Sequence, residues 1–196
     1  MIISRKFLAI LLVTSIYGCI HKHIKEGYVR YNITYSGNID TASIKLLPQN
    51  ITLNFKNSIL RLKMTGGISN LKPIIMIDGL KSKVTLINSF TGIAESRKLL
   101  KKDTSLVNTG ITEIISGYKC KMFKASNRNT TYSVWAATEL PATIGGTSRL
   151  EGFYLSSYDG IPLKIIDKEQ DFTINFTADS ISLTPQLDSL FVIKSK

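Results

Sequence analysis

Apolar and polar side chains alternate along most of the chain after residue 26, a period of two that is typical of β-strands with one buried face. Two consecutive runs show it best, and their apolar members are Ile51, Leu53, Phe55, Leu60, Leu62 and Met64. A two-residue turn at Asn57-Ser58 sets an antiparallel register between them. The resulting pairs are Phe55 with Leu60, Leu53 with Leu62, and Ile51 with Met64. All six side chains then lie on one face, which a slip of one residue would destroy.

Similar runs predict further strands along the chain. The first covers 28–35, and the later ones cover 73–77, 83–88, 106–115, 118–124, 131–137, 161–167, 171–177 and 181–183, with a last short strand at 190–193. Helical patterns are sparse. We expect a short helix or an irregular lobe at 93–102, and a loop with one helical turn at 141–158. No linker or change of composition divides residues 27–196, so we predict one domain there.

About ten strands that each have one apolar face require a sheet to curl on itself or to be covered. Few helices are predicted that could cover such a sheet. We therefore predict a mainly β fold, a single curved antiparallel sheet that forms an open or half barrel, with one or two short helices. The enclosed face is expected to carry Ile, Leu, Phe, Tyr and Met side chains.

The N-terminal residues predict export. Arg5 and Lys6 precede an apolar run at 7–16, which is shorter than the roughly 20 residues of a membrane-spanning helix. The following Ile16-Tyr17-Gly18-Cys19 resembles the lipobox of bacterial lipoproteins, although Tyr17 departs from the small residue usual at that position. This resemblance implies a signal peptide at 1–18, a lipidated Cys19 and a tether at 19–26. The alternatives are an ordinary signal with an incidental cysteine, or a short uncleaved anchor.

A lipidated Cys19 would hold the protein on a membrane almost irreversibly. Each buried CH₂ contributes about 0.8 kcal/mol, and stable anchoring takes at least two acyl chains. No acidic run follows Cys19, so we find no signal for export to the cell surface. We expect the protein in the bacterial cell envelope, anchored to the outer membrane and facing the periplasm.

The chain is strongly basic, with 25 Lys and Arg residues, 14 Asp and Glu residues and a net charge of +11. The signal peptide carries two of the basic residues, so its removal lowers the net charge to +9. Export excludes nucleic acid as a partner. Two interpretations remain: attraction to anionic lipid headgroups, at about 1 kcal/mol per basic residue near such a surface, and a solvated face that keeps the domain soluble.

Cysteine usage is consistent with an exported lipoprotein. The chain has only Cys19 and Cys120, so lipidation of the first leaves the second without a disulfide partner in the chain. Cys120 has the same parity as Tyr118 and Met122 in an alternating run, and we expect all three to point inward. A buried thiol in apolar surroundings is usually inert.

Few residues with catalytic potential lie in the domain. Both histidines, His21 and His23, belong to the predicted tether, which removes histidine-based triads and most zinc sites. The densest acidic set is Asp159, Asp167, Glu169 and Asp171. Its position around a predicted hairpin indicates solvated turn residues rather than the carboxylate pair of a glycosidase. We therefore predict a protein that is not an enzyme and has no cofactor or metal site.

Four segments resemble a family of uncharacterised bacterial envelope proteins. They are Ile115-Ser116-Gly117-Tyr118-Lys119-Cys120-Lys121, Val134-Trp135-Ala136, Asp159-Gly160-Ile161-Pro162-Leu163 and Asp188-Ser189-Leu190-Phe191. The resemblance spans most of residues 27–193 and includes no catalytic signature. That family is similar to the half-barrel lipoprotein-localisation carriers, LolA and LolB. The resemblance implies a curved antiparallel sheet that holds acyl chains or a comparable apolar ligand.

Two classes of function remain open. In the first, the curved sheet shelters a lipid or another apolar ligand. The residues predicted to line it are Val29, Tyr31, Ile33, Leu53, Phe55, Leu60, Leu62, Tyr118 and Met122, each of which ordinary core packing would also explain. In the second, the interior is filled by its own side chains and the outer face meets another envelope protein. A large apolar cavity favours the first class, and a packed interior with an exposed apolar patch favours the second.

Overall fold

The computed structural model describes residues 26–68, 72–98, 106–126, 130–140, 148–150, 153–155 and 160–193. The predicted signal peptide and Cys19 lie outside these residues, as do both histidines and Asp159. In the described part of the chain, eleven strands form one antiparallel sheet that is not closed, and two more strands form a separate hairpin. The prediction of a mainly β fold built on one curved, open antiparallel sheet is confirmed.

The strands are numbered in chain order. They are β1 (Glu26–Gly37), β2 (Asn50–Lys56), β3 (Ile59–Thr65), β4 (Ile74–Asp78), β5 (Lys83–Ile87), β6 (Ala94–Lys98), β7 (Val107–Ile115), β8 (Tyr118–Ser126), β9 (Thr131–Ala137), β10 (Ser148–Leu150), β11 (Phe153–Leu155), β12 (Ile161–Lys168) and β13 (Phe172–Ser182). One helix, α1 (Thr41–Leu46), follows β1, and a 3₁₀ turn covers Asp188–Phe191. The order across the large sheet is β6-β5-β4-β3-β2-β1-β13-β12-β9-β8-β7.

The hairpin of β2 and β3 has the predicted register. Phe55 lies opposite Leu60, Leu53 opposite Leu62, and Ile51 opposite Met64. At the turn, Asn57 has a φ of 52°, in the left-handed region that Asn adopts more readily than most residues. These six apolar side chains are buried, so the alternation in the sequence identified the correct face.

The first and last strands of the described chain pair in the middle of the sheet. Arg30 in β1 lies opposite Ser180 in β13, whereas Tyr31 lies opposite Ala178, so Asp179 is an extra residue at a β-bulge. The Asp179 carboxylate accepts a 3.1 Å hydrogen bond from the Arg30 guanidinium. Residues 171–177 and 181–183, predicted as two strands, therefore belong to one bulged strand.

Contacts between distant strands show how strongly the sheet curls. The Ser116 hydroxyl, in the β7–β8 turn, donates a 3.1 Å hydrogen bond to the carbonyl oxygen of Ala178 in β13. Lys164 Nζ in β12 lies 3.0 Å from a Glu113 carboxylate oxygen in β7 and 4.5 Å from the centre of the Trp135 ring. Trp135 is in β9, the neighbour of β12, but the Ser116 and Glu113 contacts each span at least three places in the strand order, about 14 Å in a flat sheet. The sheet must therefore bend at this end.

The main core lies on what we call the inner face, the side of β1 that carries Val29, Tyr31 and Ile33 with the matching side chains of its neighbours. Its deepest members, exposed by 1% or less, include Val29, Tyr31, Ile51, Leu53, Leu60 and Leu62. The opposite side of β1 carries the exposed Arg30, Asn32 and Thr34. This clear two-sided pattern explains why strands near β1 were predictable.

Three local predictions were wrong. Residues 93–102 were expected to be helical or irregular, but 94–98 form the edge strand β6, whose residues are all exposed and pair with β5 through the backbone. The final strand at 190–193 is replaced by the 3₁₀ turn. The loop at 141–158 contains the β10–β11 hairpin. Residues 94–98 are all exposed and no residue of the 3₁₀ turn is buried, so neither of these two segments has the half-buried face from which a strand or helix is recognised.

Helix α1 was also missed, since it has no buried residue to create a periodic signal. Its start has a local cause, because Asp40 is an N-cap whose side chain accepts a hydrogen bond from the Ser43 backbone N–H at 2.9 Å.

Candidate functional site

A pocket of about 440 Å³ opens on the inner face, at the end of the sheet where β1 meets the connection to β2. Strands β1, β2, β3 and β13 supply the apolar floor, whose residues are Ile33, Tyr35, Ile51, Met64, Ile174 and Phe176. Phe172 lies at the start of β13 and extends this surface. The volume falls within the roughly 300–1,000 Å³ that is usual for small-molecule sites.

One wall of the pocket is the β1–β2 connection, residues 38–49, which contributes Ile39, Leu47 and Pro48. Hydrogen bonds hold this connection to the sheet at both ends. The Tyr35 hydroxyl donates to the Pro48 carbonyl oxygen at 2.6 Å, and the Asn38 N–H donates to the Asp171 carbonyl oxygen at 2.8 Å. The wall is thus tied to β1 and to the turn before β13.

The turn after β3 is hydrogen-bonded to the same wall. The Ile68 N–H donates a 3.0 Å hydrogen bond to the Leu46 carbonyl oxygen. Gly67 has a φ of +55°, and a Cβ atom there would collide with the carbonyl oxygens of Leu46 and Leu47. Glycine is required at this position because its backbone has a left-handed conformation and lies very close to the backbone of Leu46 and Leu47.

Among the described residues, the acidic and basic side chains that line the pocket are Asp167, Glu169 and Lys72. Asp167 is only 3% exposed and lies in β12 opposite Ile174, itself part of the floor. The prediction that Asp167 is a solvated turn residue is therefore wrong. Of the other members of that acidic set, Asp171 is exposed and Glu169 is partly buried.

The position of Asp167 could have been read from the sequence. Every second residue of β12 points to the same face of the sheet, and this series includes Leu163, Ile165 and Asp167. Leu163 and Ile165 are fully buried. A carboxylate that continues a buried series is a signal for an inward-facing polar group. The wall residues had no such signal, because their contact with the pocket depends on how the β1–β2 connection folds over the sheet.

The nine predicted lining residues fall into two groups around this pocket. Ile33 lines it and is 8% exposed. The other eight do not line it: six are buried in the main core, and two are partly buried and packed against that core. The six are Val29, Tyr31, Leu53, Phe55, Leu60 and Leu62, and the two are Tyr118 and Met122.

Cys120 lies in β8 away from the pocket and is completely buried. Burial raises the pKa of its thiol to about 11, and the carboxylates of Glu113 and Glu139 act in the same direction. The thiol is therefore protonated at neutral pH and has little nucleophilic character. The prediction that Cys120 points inward with Tyr118 and Met122 is confirmed.

The described residues contain no group of three or more His, Cys, Asp or Glu side chains placed to hold a metal ion. No helix within the same residues has the length and apolar character needed to cross a membrane.

No protein-family model matches the sequence, and no curated protein sequence matches it. Solved structures do match. The structure of PNGF-II in the C2 space group aligns with 87% of this chain at a TM-score of 0.59 and 18% identity, and that of PNGF-II in the P21 space group with 85% at 0.58 and 19%. Each alignment covers 30% of the PNGF-II chain. This chain is thus similar in fold to less than a third of PNGF-II.

Proposed function

We propose that this protein is a lipid-anchored, non-catalytic binding protein of the bacterial cell envelope, which holds a lipid or another apolar molecule in the pocket on its inner face. The observation that supports this proposal best is the pocket itself. It has about 440 Å³ of free space beside a floor of apolar side chains that belong to the buried core or pack against it. Empty apolar surface of this kind gains free energy when an apolar ligand displaces water from it.

The pocket walls are also suited to reversible binding. The floor belongs to the central strands of the sheet, whereas the wall at 38–49 is a connection whose helix buries no side chain. Segments with few buried apolar contacts open at a lower free-energy cost than core strands. A ligand can therefore enter by displacement of this wall while the floor stays in place.

The proposed position at a membrane rests on the sequence. The order of basic residues, apolar run, small residue and Cys19 is that of a lipoprotein signal. A protein that is held at a bilayer and contains an apolar pocket is well placed to exchange lipid or other amphiphilic molecules with that bilayer. The proposed compartment is the periplasm, with the anchor in the outer membrane.

Ligand binding is tested with two matched tryptophan variants in β13. Ile174 lines the pocket and Ile181 does not, and both are partly buried and packed against the core. The protein is purified without added lipid, and native mass spectrometry measures bound amphiphile before and after incubation with a fatty acid, a fatty alcohol and a phospholipid. Ile174→Trp should fill the pocket and reduce binding at least tenfold, whereas Ile181→Trp should bind like the wild type. Absence of any bound amphiphile in the wild type would refute the proposal.

The anchor is tested by metabolic labelling with radioactive palmitate. The wild type and Cys120→Ser should incorporate label, because the buried thiol is not the acylation site. Cys19→Ser should not incorporate label. Equal labelling of Cys19→Ser and the wild type would contradict the lipoprotein assignment without bearing on the pocket.

A second candidate function, a protein-interaction component of the envelope, is favoured by the edge strand β7. This strand exposes Val107, Ile111 and Ile114 by 64%, 54% and 68%. Exposed apolar side chains on an unpaired sheet edge are a common site for the addition of a strand from another protein. A crosslinker placed at Thr112, between the exposed residues, should capture a specific envelope partner in cells if this second function holds.

A further inference from the structure

One end of the sheet, the end at which the chain enters β1, brings residues of strands β1 to β6 into a single row. In strand order these residues are Glu26, Lys56, Ile59, Asp78, Lys83 and Lys98. Neighbouring strands are about 4.8 Å apart, so Lys98 would lie about 24 Å from Glu26 in a flat sheet. The start of β1 and the end of β6 thus belong to the same edge of the protein.

The β4–β6 part of this row is exposed and basic, and we call it the basic end. Its residues, from the β4–β5 turn, the start of β5 and the end of β6, are Leu80, Lys81, Lys83, Arg97 and Lys98. Leu80 is 85% exposed, and the last three basic residues are exposed as well. Within the described part of the chain, none of these three takes part in an ion pair. Their charges are therefore free to meet a partner.

The β4–β5 turn holds Leu80 at its tip. The Lys81 N–H donates a 3.1 Å hydrogen bond to the Asp78 carboxylate, and Lys81 Nζ lies 3.4 Å from that group. The Gly79 N–H donates a 2.9 Å hydrogen bond to the Ser58 carbonyl oxygen, which ties the turn to the neighbouring β2–β3 turn. An apolar side chain beside exposed lysines matches a membrane interface, where acyl chains lie next to charged headgroups.

Acidic side chains do not cancel the charge of the basic end. In residues 74–98 the only acidic side chains are Asp78 and Glu95, against four basic ones at the basic end. Nearer β1, Glu26 and Asp188 are both paired with Lys56.

The residues after Cys19 that lie outside the described part of the chain also add positive charge on balance. Their basic members are Lys22, Lys25, Lys101, Lys102, Arg128, Lys194 and Lys196, and their acidic members are Asp103, Glu151 and Asp159.

The proposed anchor joins the protein at the same end. Glu26 is seven residues after Cys19, so the tether spans at most about 25 Å when fully extended. Strand β1 has 12 residues and is about 36 Å long, which exceeds this reach. The end that contains Glu26 is therefore the one that the anchor holds nearest to the bilayer. The tether itself carries Lys22 and Lys25 and no acidic residue before Glu26.

We propose that the basic end binds anionic phospholipid headgroups of the bilayer that holds Cys19, with Leu80 in the interfacial region. This inference rests on the proposed lipid anchor and is independent of the ligand in the pocket. Each basic residue near an anionic surface adds to the attraction, and acyl chains and a basic patch act together. In this bound state the pocket, at the other end of β1, is directed away from the bilayer. Exchange of its ligand with that bilayer then requires the contact to open.

The test places a polarity-sensitive nitrobenzoxadiazole fluorophore at Leu80→Cys, with Phe90→Cys as the matched control. Both are exposed apolar residues, and they lie in consecutive turns at opposite ends of β5. Acylation blocks Cys19 and Cys120 is buried, so the label reacts with the new cysteine. The acylated protein is inserted into vesicles of phosphatidylcholine alone, or of equal parts of phosphatidylcholine and phosphatidylglycerol.

The label at position 80 should be at least about twofold brighter in the anionic vesicles than in the neutral ones, because it enters a less polar region only when the headgroups attract the basic end. The label at position 90 should have the same brightness in both. Added salt should reduce the difference at position 80, since screening weakens attraction between exposed charges.

Charge-removing variants identify the groups responsible. Lys83→Gln combined with Lys98→Gln should remove at least half of the response at position 80. Lys124→Gln combined with Lys168→Gln removes the same charge from exposed positions at the opposite end of the sheet and should leave the response unchanged. All four side chains are exposed, so neither double variant should unfold the protein.

The outcomes separate this inference from the proposed anchor. A response at position 80 that is equal in the two kinds of vesicle, or no larger than that at position 90, overturns the membrane contact and leaves the anchor intact. Equal effects of the two double variants also overturn it, because overall charge would then be responsible. Failure of the wild type to incorporate palmitate overturns the anchor, and this inference with it.

Discussion

The Tyr31 hydroxyl in β1 donates a 2.6 Å hydrogen bond to the carbonyl oxygen of Pro162 in β12, across the intervening strand β13. The cross-strand neighbour of Tyr31 in β13 is Ala178, whose small side chain leaves room for the ring to cross the strand. Pro162 adjoins an irregularity in the pairing of β12 with β9. The completely buried Tyr31 side chain thus joins β1 to β12 across β13, next to the point where the regular pairing of β12 with β9 is interrupted.

Tyr31→Phe should destabilise the protein by about 1–3 kcal/mol, because it removes a buried donor and leaves the Pro162 carbonyl without that bond. Tyr35→Phe removes a similar 2.6 Å bond to Pro48 in a partly buried site, and it should cost less. Both free energies of unfolding can be measured by urea titration with the fluorescence of Trp135, the one tryptophan of the chain. A larger effect of Tyr35→Phe would show that the bond across β13 is not a main support.

Leu62→Ala should destabilise the fold by about 2–5 kcal/mol, since it removes a side chain that is 1% exposed from the middle of the inner face. The adjacent Lys63 points to the other side of β3 and is exposed, so Lys63→Ala should change stability by less than about 0.5 kcal/mol. The same urea titration measures both. Similar losses for the two variants would contradict the assignment of faces.

Cys120 should make the stability depend on alkaline pH. Its thiol ionises at about pH 8.5 in an unfolded chain, whereas burial raises its pKa to about 11 in the folded protein. The stabilisation that the neutral thiol provides is complete below the unfolded pKa and is lost as the pH rises towards the folded value. The difference in unfolding free energy between wild type and Cys120→Ala should therefore decrease from pH 8 to pH 11. A constant difference would show that the thiol ionises equally in both states.

The thiol should also resist chemical modification while the protein is folded. In the full chain with Cys19→Ser, Cys120 is the only thiol. A thiol-specific reagent at pH 7 should react at least about a hundredfold more slowly with the native protein than with the urea-unfolded protein, because reaction requires local opening. Comparable rates would indicate an accessible, reactive thiol.

The C-terminal segment is held by an ion cluster around Lys56, whose Nζ lies 3.0 Å from Glu26 and 2.8 Å from Asp188. The Gln186 N–H also donates to Glu26, and this bond, followed by Lys56, lowers the pKa of the Glu26 carboxyl. Its stabilising effect is present above the ordinary pKa of 4.5 and is lost as the pH falls through the lowered value.

Glu26→Gln should therefore increase amide hydrogen exchange in the 3₁₀ turn at neutral pH, and acidification through the lowered pKa of Glu26 should have the same effect in the wild type. Hydrogen exchange at Leu190, whose N–H is bonded to the Leu187 carbonyl oxygen, reports the opening. Glu95→Gln is the control. If exchange in Glu26→Gln equals that of the wild type, the cluster does not hold the segment.

The period-two alternation in the sequence determined those parts of the fold in which a strand buries one face. The register of β2 and β3, the burial of Cys120 and the inward face of β1 all follow from alternation, because a strand that buries one face has no other way to place its apolar side chains. The same rule, applied to Leu163, Ile165 and Asp167, would have placed Asp167 on a buried face, but the surrounding acidic residues led to the wrong prediction of a solvated turn residue.

The pocket depended on tertiary structure. Ile39, Leu47 and Pro48 meet Ile33, Ile174 and Asp167 only because β1 and β13 pair across the whole chain and the 38–49 connection folds over their ends. The edge strand β6 and helix α1 were likewise invisible, since neither buries a face. The pocket is the space between these elements. Local sequence patterns predict each element separately, so the volume of the pocket and the charged residues that line it follow only from the tertiary structure.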